Sequence, residues 1–354
     1  SLTLNVKVNN KSFSLNKEIL ISRDSYQKKL SMNNWSYFDY SYLVRGIKKV
    51  IVHDLVDHQA NSLDIPPYNF PAVMDPNNAQ RIDKMKKYLQ YTQNKFDYYM
   101  LFMGYTSKDD YVLSDSWKKN ISTWYNTVIS IFNAMGIDKS KVLLFPYDEP
   151  KGISIRKLSG IYDFFRQQGI PNDFFVTVGT EDAALLAKKI EYVQVYSGND
   201  KVINEVNRNK LTRTKVWIYE IPAGSRNYNA NFYHKIGFKA YKYNASGIGV
   251  WNYADADNSM NDKNLKDFSE GKPSWLIKAS NPVRDYSLIY RHREKIYSSI
   301  RWEALAFCME EYNWLGHYEA KYGHMRCIEL INKIISNKMS QNQWEKVKFS
   351  MIQK

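Results

Sequence analysis

The chain has 354 residues, with 50 Lys and Arg against 36 Asp and Glu, and its formal net charge is +14 at pH 7. No uninterrupted apolar run approaches the roughly 20 residues that a bilayer crossing requires, so the sequence excludes a helical membrane span. The 2 cysteines exclude a disulfide scaffold and a metal site built from a cysteine cluster.

The positive charge favours an anionic partner such as nucleic acid, a membrane surface or an acidic polysaccharide. Most of the surplus is lysine scattered along helical faces, as at Lys84, Lys86 and Lys87, which is typical of a solvated surface. No basic run and no nucleic-acid motif is present. The 28 Tyr and 9 Trp are more specific, because a flat apolar face with a polar group suits sugar rings as well as protein cores.

Residues 1 to about 25 alternate like short β-strands, and we predict a β extension over residues 1–28 ahead of a main domain over residues 29–354. Beyond it, short β-branched or aromatic runs alternate with longer segments of helical period, the pattern of a parallel sheet wrapped by helices. The last helical segment, Arg326–Lys338, is amphipathic and is predicted to cover this domain. The predicted strands are Met32–Asp39, Lys48–His53, Tyr98–Gly104, Lys141–Tyr147, Phe174–Gly179, Tyr192–Tyr196, Lys215–Glu220 and Gly249–Tyr253.

Eight strand and helix pairs in about 300 residues predict an α/β fold of the (β/α)8 type rather than an open doubly wound sheet. No GxGxxG or GxxxxGK[ST] motif follows any predicted strand, which argues against nucleotide binding. The N-terminus reads SLTLNVKVNN, without the charged and then apolar stretch of a signal peptide.

The fourth predicted strand is the most informative, because barrel enzymes carry their catalytic residues at the C-terminal ends of the strands. It reads KVLLFPYDEP and stops at Asp148 and Glu149. Paired acids in a pocket push each other's protonation apart, leaving a proton donor and a charged partner, as glycosidic cleavage requires. Both side chains can serve one pocket only if the backbone turns, which Pro150 favours. The alternative is a solvated pair that caps the next helix.

Three segments resemble glycoside hydrolase family 123 and its bacterial relatives: YDEP at strand four, GIGVWNYAD at strand eight, and SSIRWEALAFCMEEYNWL. The resemblance spans roughly residues 30–320 and lacks most of the N-terminal β-sandwich that is common in the family. The third segment departs from the family motif at Cys308 and Glu311, where the family usually has Gly and Asp. It matches that motif at Ser299, Arg301, Glu303, Ala304, Leu305, Glu310, Tyr312 and Leu315.

This resemblance implies a retaining β-N-acetylhexosaminidase with substrate-assisted catalysis. Glu149 would protonate the leaving oxygen and then act as base toward water, while Asp148 would orient the 2-acetamido group whose carbonyl attacks the anomeric carbon. No cofactor is implied. We expect a secreted or periplasmic cell-envelope enzyme, with no export signal in this chain. Its substrate would be a polysaccharide or glycoconjugate with β-linked GalNAc or GlcNAc, and the positive charge of the chain favours an acidic one. Nucleic acid is not expected as a partner, and the chain is not expected to span a membrane.

Aromatic residues at other predicted strand ends are candidates for substrate binding. Trp251 lies at the end of strand eight and is predicted to stack under the sugar rather than to fill the core. Tyr147, Tyr196 and Tyr219 are candidate hydrogen-bond donors to the acetamido carbonyl or to ring hydroxyls, although tyrosines are more often packing residues.

His53 and Asp54 end the second predicted strand and are candidates to bind a hydroxyl, with a structural pair as the alternative. Asp255, Asp257 and Asn258 resemble part of a calcium loop, but the Gly and the closing Glu of such a loop are missing, so no metal site is predicted.

Three other functions stay open. A retaining glycosidase like those of clan A would use Glu149 as acid and base and Glu220, at the end of strand seven, as nucleophile. Asp148 in place of the usual Asn and the C-terminal helix motif argue against it. A carbohydrate-binding barrel would keep the fold without turnover. A basic module that binds nucleic acid or the cell envelope would show strongly salt-dependent binding without sugar preference.

Overall fold

The computed structural model describes residues 30–38, 41, 43–92, 94–222, 228–255, 271–272, 274 and 286–352, and the backbone alone of residues 2–8 and 11–17. By its internal contacts the chain divides into two compact units. One is Lys29–Tyr312, and the other is Ser1–Lys28 together with Asn313–Lys354. The predicted division into residues 1–28 and 29–354 stays a prediction.

Eight parallel strands form the larger unit's barrel. The ladders join β2 to β3 and β4, and separately join β5, β6, β7, β8 and β1. Between β4 and β5 a parallel bridge joins Leu144 to Phe174, and the Leu144 N–H donates to the Asp173 carbonyl at 2.9 Å. The strands are Ser31–Asn33 (β1), Ser62–Ile65 (β2), Tyr98–Phe102 (β3), Val142–Phe145 (β4), Phe175–Val178 (β5), Tyr192–Tyr196 (β6), Lys215–Glu220 (β7) and Gly247–Val250 (β8).

Side chains join β1 to β2, since the described residues form no backbone ladder at this seam. The Ser62 hydroxyl donates to the Met32 carbonyl at 2.7 Å. The Met32 N–H donates to Asn61 Oδ1 at 2.8 Å, and the Asn61 amide donates in turn to Asp97 at 2.9 Å. Both backbone groups of Met32 therefore have side-chain partners at this seam, in place of backbone groups of β2.

A helix follows each of the eight strands, and the predicted (β/α)8 barrel is confirmed. Polar residues begin several helices, because a side-chain oxygen accepts an N–H that has no partner within the helix. Ser114, Asn199 and Asn229 do so at the starts of α3, α6 and α7. The helices are Lys48–Asp57 (α1), Ala79–Leu89 (α2), Asp115–Ala134 (α3), Ile153–Gln167 (α4), Glu181–Ala184 (α5), Asp200–Asn209 (α6), Ala230–Lys242 (α7) and Ile300–Tyr322 (α8).

The second predicted strand, Lys48–His53, was wrong, because this segment begins α1. Its β-branched residues also fit a helix, in which Ile51, Val52 and Leu55 form the buried stripe. The true second strand is the short run SLDI at Ser62–Ile65. The first strand is also shorter than predicted and covers Ser31–Asn33.

The smaller unit contains the predicted N-terminal β segment. Strands Leu2–Val8 and Lys11–Lys17 pair antiparallel. Two C-terminal helices follow α8, at His324–Ile335 (α9) and Gln341–Ile352 (α10). The predicted amphipathic helix is therefore present as α9, while its packing on the barrel stays a prediction. In the described part of the chain, no helix combines the length and apolar character needed to cross a membrane.

Candidate functional site

The barrel interior changes from apolar to polar toward the C-terminal ends of several strands. Residues paired across neighbouring strands share a face, because side chains alternate along each strand. An apolar cluster of Met100, Leu143, Phe145, Phe175, Tyr192 and Trp217 fills part of the interior. On β5, β6 and β7 the residue two positions after the cluster member also faces the interior, and it is polar. Strands β1 and β2 also carry a polar residue that faces the interior. These five are Asn33, Asp64, Thr177, Gln194 and Tyr219.

The turn after β4 brings Asp148 and Glu149 to this polar region. The Thr177 hydroxyl of β5 accepts a hydrogen bond from the Glu149 backbone N–H at 2.8 Å. The same hydroxyl donates to Asp148 Oδ1. Because Thr177 faces the interior, both acids lie at the C-terminal end of the barrel and not among the outer helices.

The side chain of Glu149 extends from this turn past β5 to β7. Its Oε1 accepts a hydrogen bond from the Tyr219 hydroxyl of β7. Its Oε2 lies over Gly179, where an added Cβ would be 3.7 Å away. The backbone of Glu149 has a φ of +42°, in the left-handed region that non-glycine residues seldom adopt. Such conformations cost about 1–3 kcal/mol and are concentrated at functional sites.

The surroundings of Asp148 act on its pKa in opposite directions. The residue is exposed, yet partial desolvation raises the pKa of its carboxyl group, and the neighbouring charge of Glu149 raises it further. The hydrogen bond from Thr177 acts in the opposite direction. Burial, followed by the hydrogen bond and charge of Glu149, raises the pKa of Tyr219 far above its usual value. The Tyr219 hydroxyl therefore remains a donor at any physiological pH.

Aromatic rings form a wall beside the two acids. Trp35 lies with its ring centroid 5.8 Å from that of Tyr219 and 5.7 Å from that of Trp251. Tyr37 contacts Trp251 at 6.1 Å, and Tyr196 contacts Tyr219 at 5.9 Å. Trp251 and Tyr196 remain partly exposed. Three of the predicted aromatic residues, Trp251, Tyr219 and Tyr196, are therefore brought together at this end of the barrel.

Tyr147, the fourth predicted aromatic residue, is turned toward the loop that follows β3. Its ring lies 5.8 Å from that of Tyr105 and is fully buried. Its hydroxyl has no hydrogen-bond partner, and burial raises its pKa. No described contact joins it to the carboxyl groups of Asp148 or Glu149.

The prediction that His53 and Asp54 lie at a strand end was wrong, because both lie on α1. His53 is exposed and pairs with Asp57 one turn later at 2.6 Å. Asp54 accepts hydrogen bonds from the Tyr253 hydroxyl at 2.5 Å and from the Trp302 indole at 3.0 Å. The contacts of Asp54 join α1 to the segment after β8 and to α8.

Glu220, the nucleophile of the alternative glycosidase, is engaged on the other face of β7. It follows the inward-facing Tyr219, so its side chain is directed toward α7. There its Oε1 accepts hydrogen bonds from Ser197 and, at 2.5 Å, from Lys239. A carboxylate held by a lysine on a surrounding helix is poorly placed to attack a sugar inside the barrel.

Comparisons with known proteins found no matching family model and no matching curated protein. Solved structures do match. A family 39 glycoside hydrolase from the gut symbiont Bacteroides cellulosilyticus WH2 is 9% identical, with a TM-score of 0.52 over 87% of this chain and 69% of that one. GH5_18 from Bifidobacterium longum, as a variant in complex with Manb1-4GlcNAc, is 10% identical, with a TM-score of 0.53 over 80% and 78%. GH5_18 from Streptomyces cattleya is 9% identical, with a TM-score of 0.51 over 80% and 81%.

These likenesses show the fold. At identities this low they do not assign an activity, and the resemblance to glycoside hydrolase family 123 stays a prediction.

Asp64, like Thr177, is a residue of this region that sequence reasoning missed. It is the third residue of β2 and faces the interior, because it pairs in register with Met100 of the apolar cluster. The available signal was a single acid inside a short run, SLDI, directly before Pro66 and Pro67. Because the second strand is predicted at Lys48–His53, the SLDI run is not identified as a strand from the sequence.

No metal centre is found in the part of the chain that the structure describes, where no three His, Cys, Asp or Glu side chains converge. Of the three residues that resemble a calcium loop, Asp255 is described, and Asp257 and Asn258 lie outside the described residues.

Proposed function

We propose that the protein is a glycoside hydrolase that cleaves β-linked N-acetylhexosamine with assistance from the substrate's acetamido group. The observation that carries this proposal is the convergence of two neighbouring acids on one end of the barrel. Thr177 of β5 holds Asp148, and Tyr219 of β7 holds Glu149. The solved structures with this fold described above are glycoside hydrolases, which supports the general class.

The hydrogen bonds divide the work between the carboxyl oxygens. Tyr219 occupies Oε1 of Glu149, so Oε2 is the oxygen that carries a proton to the leaving group. Thr177 occupies Oδ1 of Asp148, so Oδ2 accepts the acetamido N–H and stabilises its developing positive charge. The acetamido carbonyl oxygen then attacks the anomeric carbon as the glycosidic bond breaks.

The second step reverses the role of Glu149. After leaving-group departure its carboxylate removes a proton from water, and the resulting hydroxide attacks the anomeric carbon and opens the oxazolinium ring. The configuration is retained after two inversions. No enzyme nucleophile is required, in agreement with the engagement of Glu220 by Lys239.

The aromatic wall supports a sugar substrate. Trp251 and Tyr196 offer partly exposed ring faces beside the acids, and such faces stack on the apolar side of a pyranose. With a net charge of +14, we propose a polysaccharide or glycoconjugate, acidic in character, as the natural substrate. A secreted or periplasmic location fits such a substrate and is proposed with it.

Chromogenic β-N-acetylgalactosaminide, β-N-acetylglucosaminide and their deacetylated analogues test the proposal. We expect the wild type to cleave only an acetylated sugar, and Glu149→Gln to lose at least about 100-fold in kcat. Glu220→Gln is the matched control and should keep most of the turnover of its folded fraction. Cleavage of deacetylated sugars, or loss in Glu220→Gln with rescue by azide, would overturn substrate assistance. Sugar binding without hydrolysis in both wild type and Glu149→Gln would instead identify a binding protein.

A further inference from the structure

Asp64 is a buried acid for which the fold provides no partner. It lies on β2, its side chain faces the barrel interior, and its relative exposure is 0%. Neither carboxyl oxygen has a hydrogen-bond partner. Its backbone is satisfied, since its carbonyl accepts from the Tyr88 hydroxyl at 3.0 Å. The carboxyl group is therefore the part of Asp64 that lacks hydrogen-bond partners.

A purely structural acid is treated differently in this chain. Glu191, which is also buried, accepts hydrogen bonds from Tyr162 at 2.9 Å, from Arg166 at 3.1 Å and from the Phe174 N–H at 3.0 Å. Buried polar groups in folded proteins nearly always have such partners, and each exception requires an explanation. Asp64 weakens the fold without any contact that compensates for it, which indicates retention for another reason.

Its position relates Asp64 to the candidate active site. Asp64 faces the same barrel interior as Thr177, which holds Asp148, and Tyr219, which holds Glu149. Burial raises the pKa of Asp64 well above the usual value, and the charge of Asp148 raises it further. Tyr37 contacts Trp251 of the aromatic wall, and burial, followed by the charges of Asp64 and Asp148, raises the pKa of its hydroxyl. Asp64 thus belongs to the polar part of the barrel interior, together with the residues that hold the two acids.

We propose that Asp64 is a substrate-binding residue, whose carboxyl group forms its missing hydrogen bonds with a hydroxyl of the bound sugar. A neutral carboxyl group donates through its O–H and accepts through its carbonyl oxygen, and a sugar hydroxyl can meet both requirements. This proposal rests on the proposed function and adds a third acid to it, one that binds and does not react.

Two substitutions at Asp64 and one control test the proposal. Asp64→Val removes the hydrogen-bonding group and should raise Tm while lowering kcat/KM by about 10- to 100-fold on the chromogenic sugar that the wild type cleaves. Asp64→Asn keeps a donor and an acceptor and should retain most of kcat/KM. In Glu191→Gln, a satisfied buried acid loses its charge, so Tm should fall while the folded fraction keeps its turnover.

Binding of the free monosaccharides, N-acetylgalactosamine and N-acetylglucosamine, gives a second measurement. The rise in Tm that the sugar causes should be present in the wild type and in Asp64→Asn, and should be lost in Asp64→Val. A lower Tm in both Asp64 variants would show a structural role and overturn the proposal. Wild-type kcat/KM in Asp64→Val would overturn it while leaving the proposed function intact. A wild type that neither binds nor cleaves these sugars would overturn both.

Discussion

The hydroxyl group of Thr177 serves both candidate catalytic acids. It accepts the backbone N–H of Glu149 and donates to the carboxylate of Asp148. A methyl group in its place would keep the shape of the side chain and remove both hydrogen bonds. One oxygen atom therefore contributes both to the position of the turn and to the ionisation of Asp148.

Replacing Thr177 by Val should make the reaction more sensitive to acid. In the proposed mechanism Asp148 acts as a carboxylate, and its hydrogen bond with Thr177 lowers a pKa that partial desolvation raises. Losing the bond raises this pKa further, so activity should disappear at a higher pH on acidification. We expect the acidic limb of the kcat/KM profile to move up by about one pH unit. Thr177→Ser keeps the hydroxyl and should show the wild-type limb; an unchanged limb in Thr177→Val would contradict this assignment.

The structural elements differ in how well the sequence predicts them. Strands β3 to β8 lie within or next to the predicted segments, because each is a short apolar run bounded by turn residues. The segment of α1 is predicted as a strand because Val50, Ile51 and Val52 favour one locally, whereas the spacing of its buried residues Ile51, Val52 and Leu55 suits a helix. The strand β2 contains a buried acid, which no hydropathy pattern would place inside a barrel.

The residues of the candidate site also differ in how well the sequence predicts them. The pair Asp148 and Glu149 could be predicted because it ends an apolar strand at a proline. The roles of Thr177 and Asp64 could not, because both depend on strand register, and a shift of one residue would direct their side chains outward. The side-chain contacts of Glu220 likewise depend on Lys239, which lies on a separate helix.

The seam between β1 and β2 should be sensitive to loss of a single hydroxyl group. Ser62→Ala removes the donor to the Met32 carbonyl at 2.7 Å in a buried setting, and we expect a loss of about 1–2 kcal/mol of unfolding free energy. Ser130→Ala is the matched control, because that hydroxyl donates to the Thr127 carbonyl at 2.8 Å in an exposed setting. The control should stay within about 0.5 kcal/mol of the wild type. Urea unfolding measures both, and equal effects would show that the seam does not depend on this bond.

At the scale of the whole molecule, the positive charge should affect the choice of substrate. A net charge of +14 attracts an anionic polymer over a distance that dissolved salt shortens. We expect added NaCl to lower kcat/KM for an acidic N-acetylhexosamine polymer and to leave the value for a neutral chromogenic sugar nearly unchanged. Equal salt dependence for the two substrates would remove the argument for an acidic one.

The inward-facing polar residues belong to strands, whereas Trp35, Tyr37 and Trp251 follow the strands in connecting segments. Strand residues are fixed by the backbone ladder, while connecting segments tolerate exchange and insertion. If the proposed function holds, we therefore expect directed evolution at the aromatic positions to alter which glycan is accepted. Libraries that randomise Asp64, Thr177 or Tyr219 would instead return mostly inactive clones.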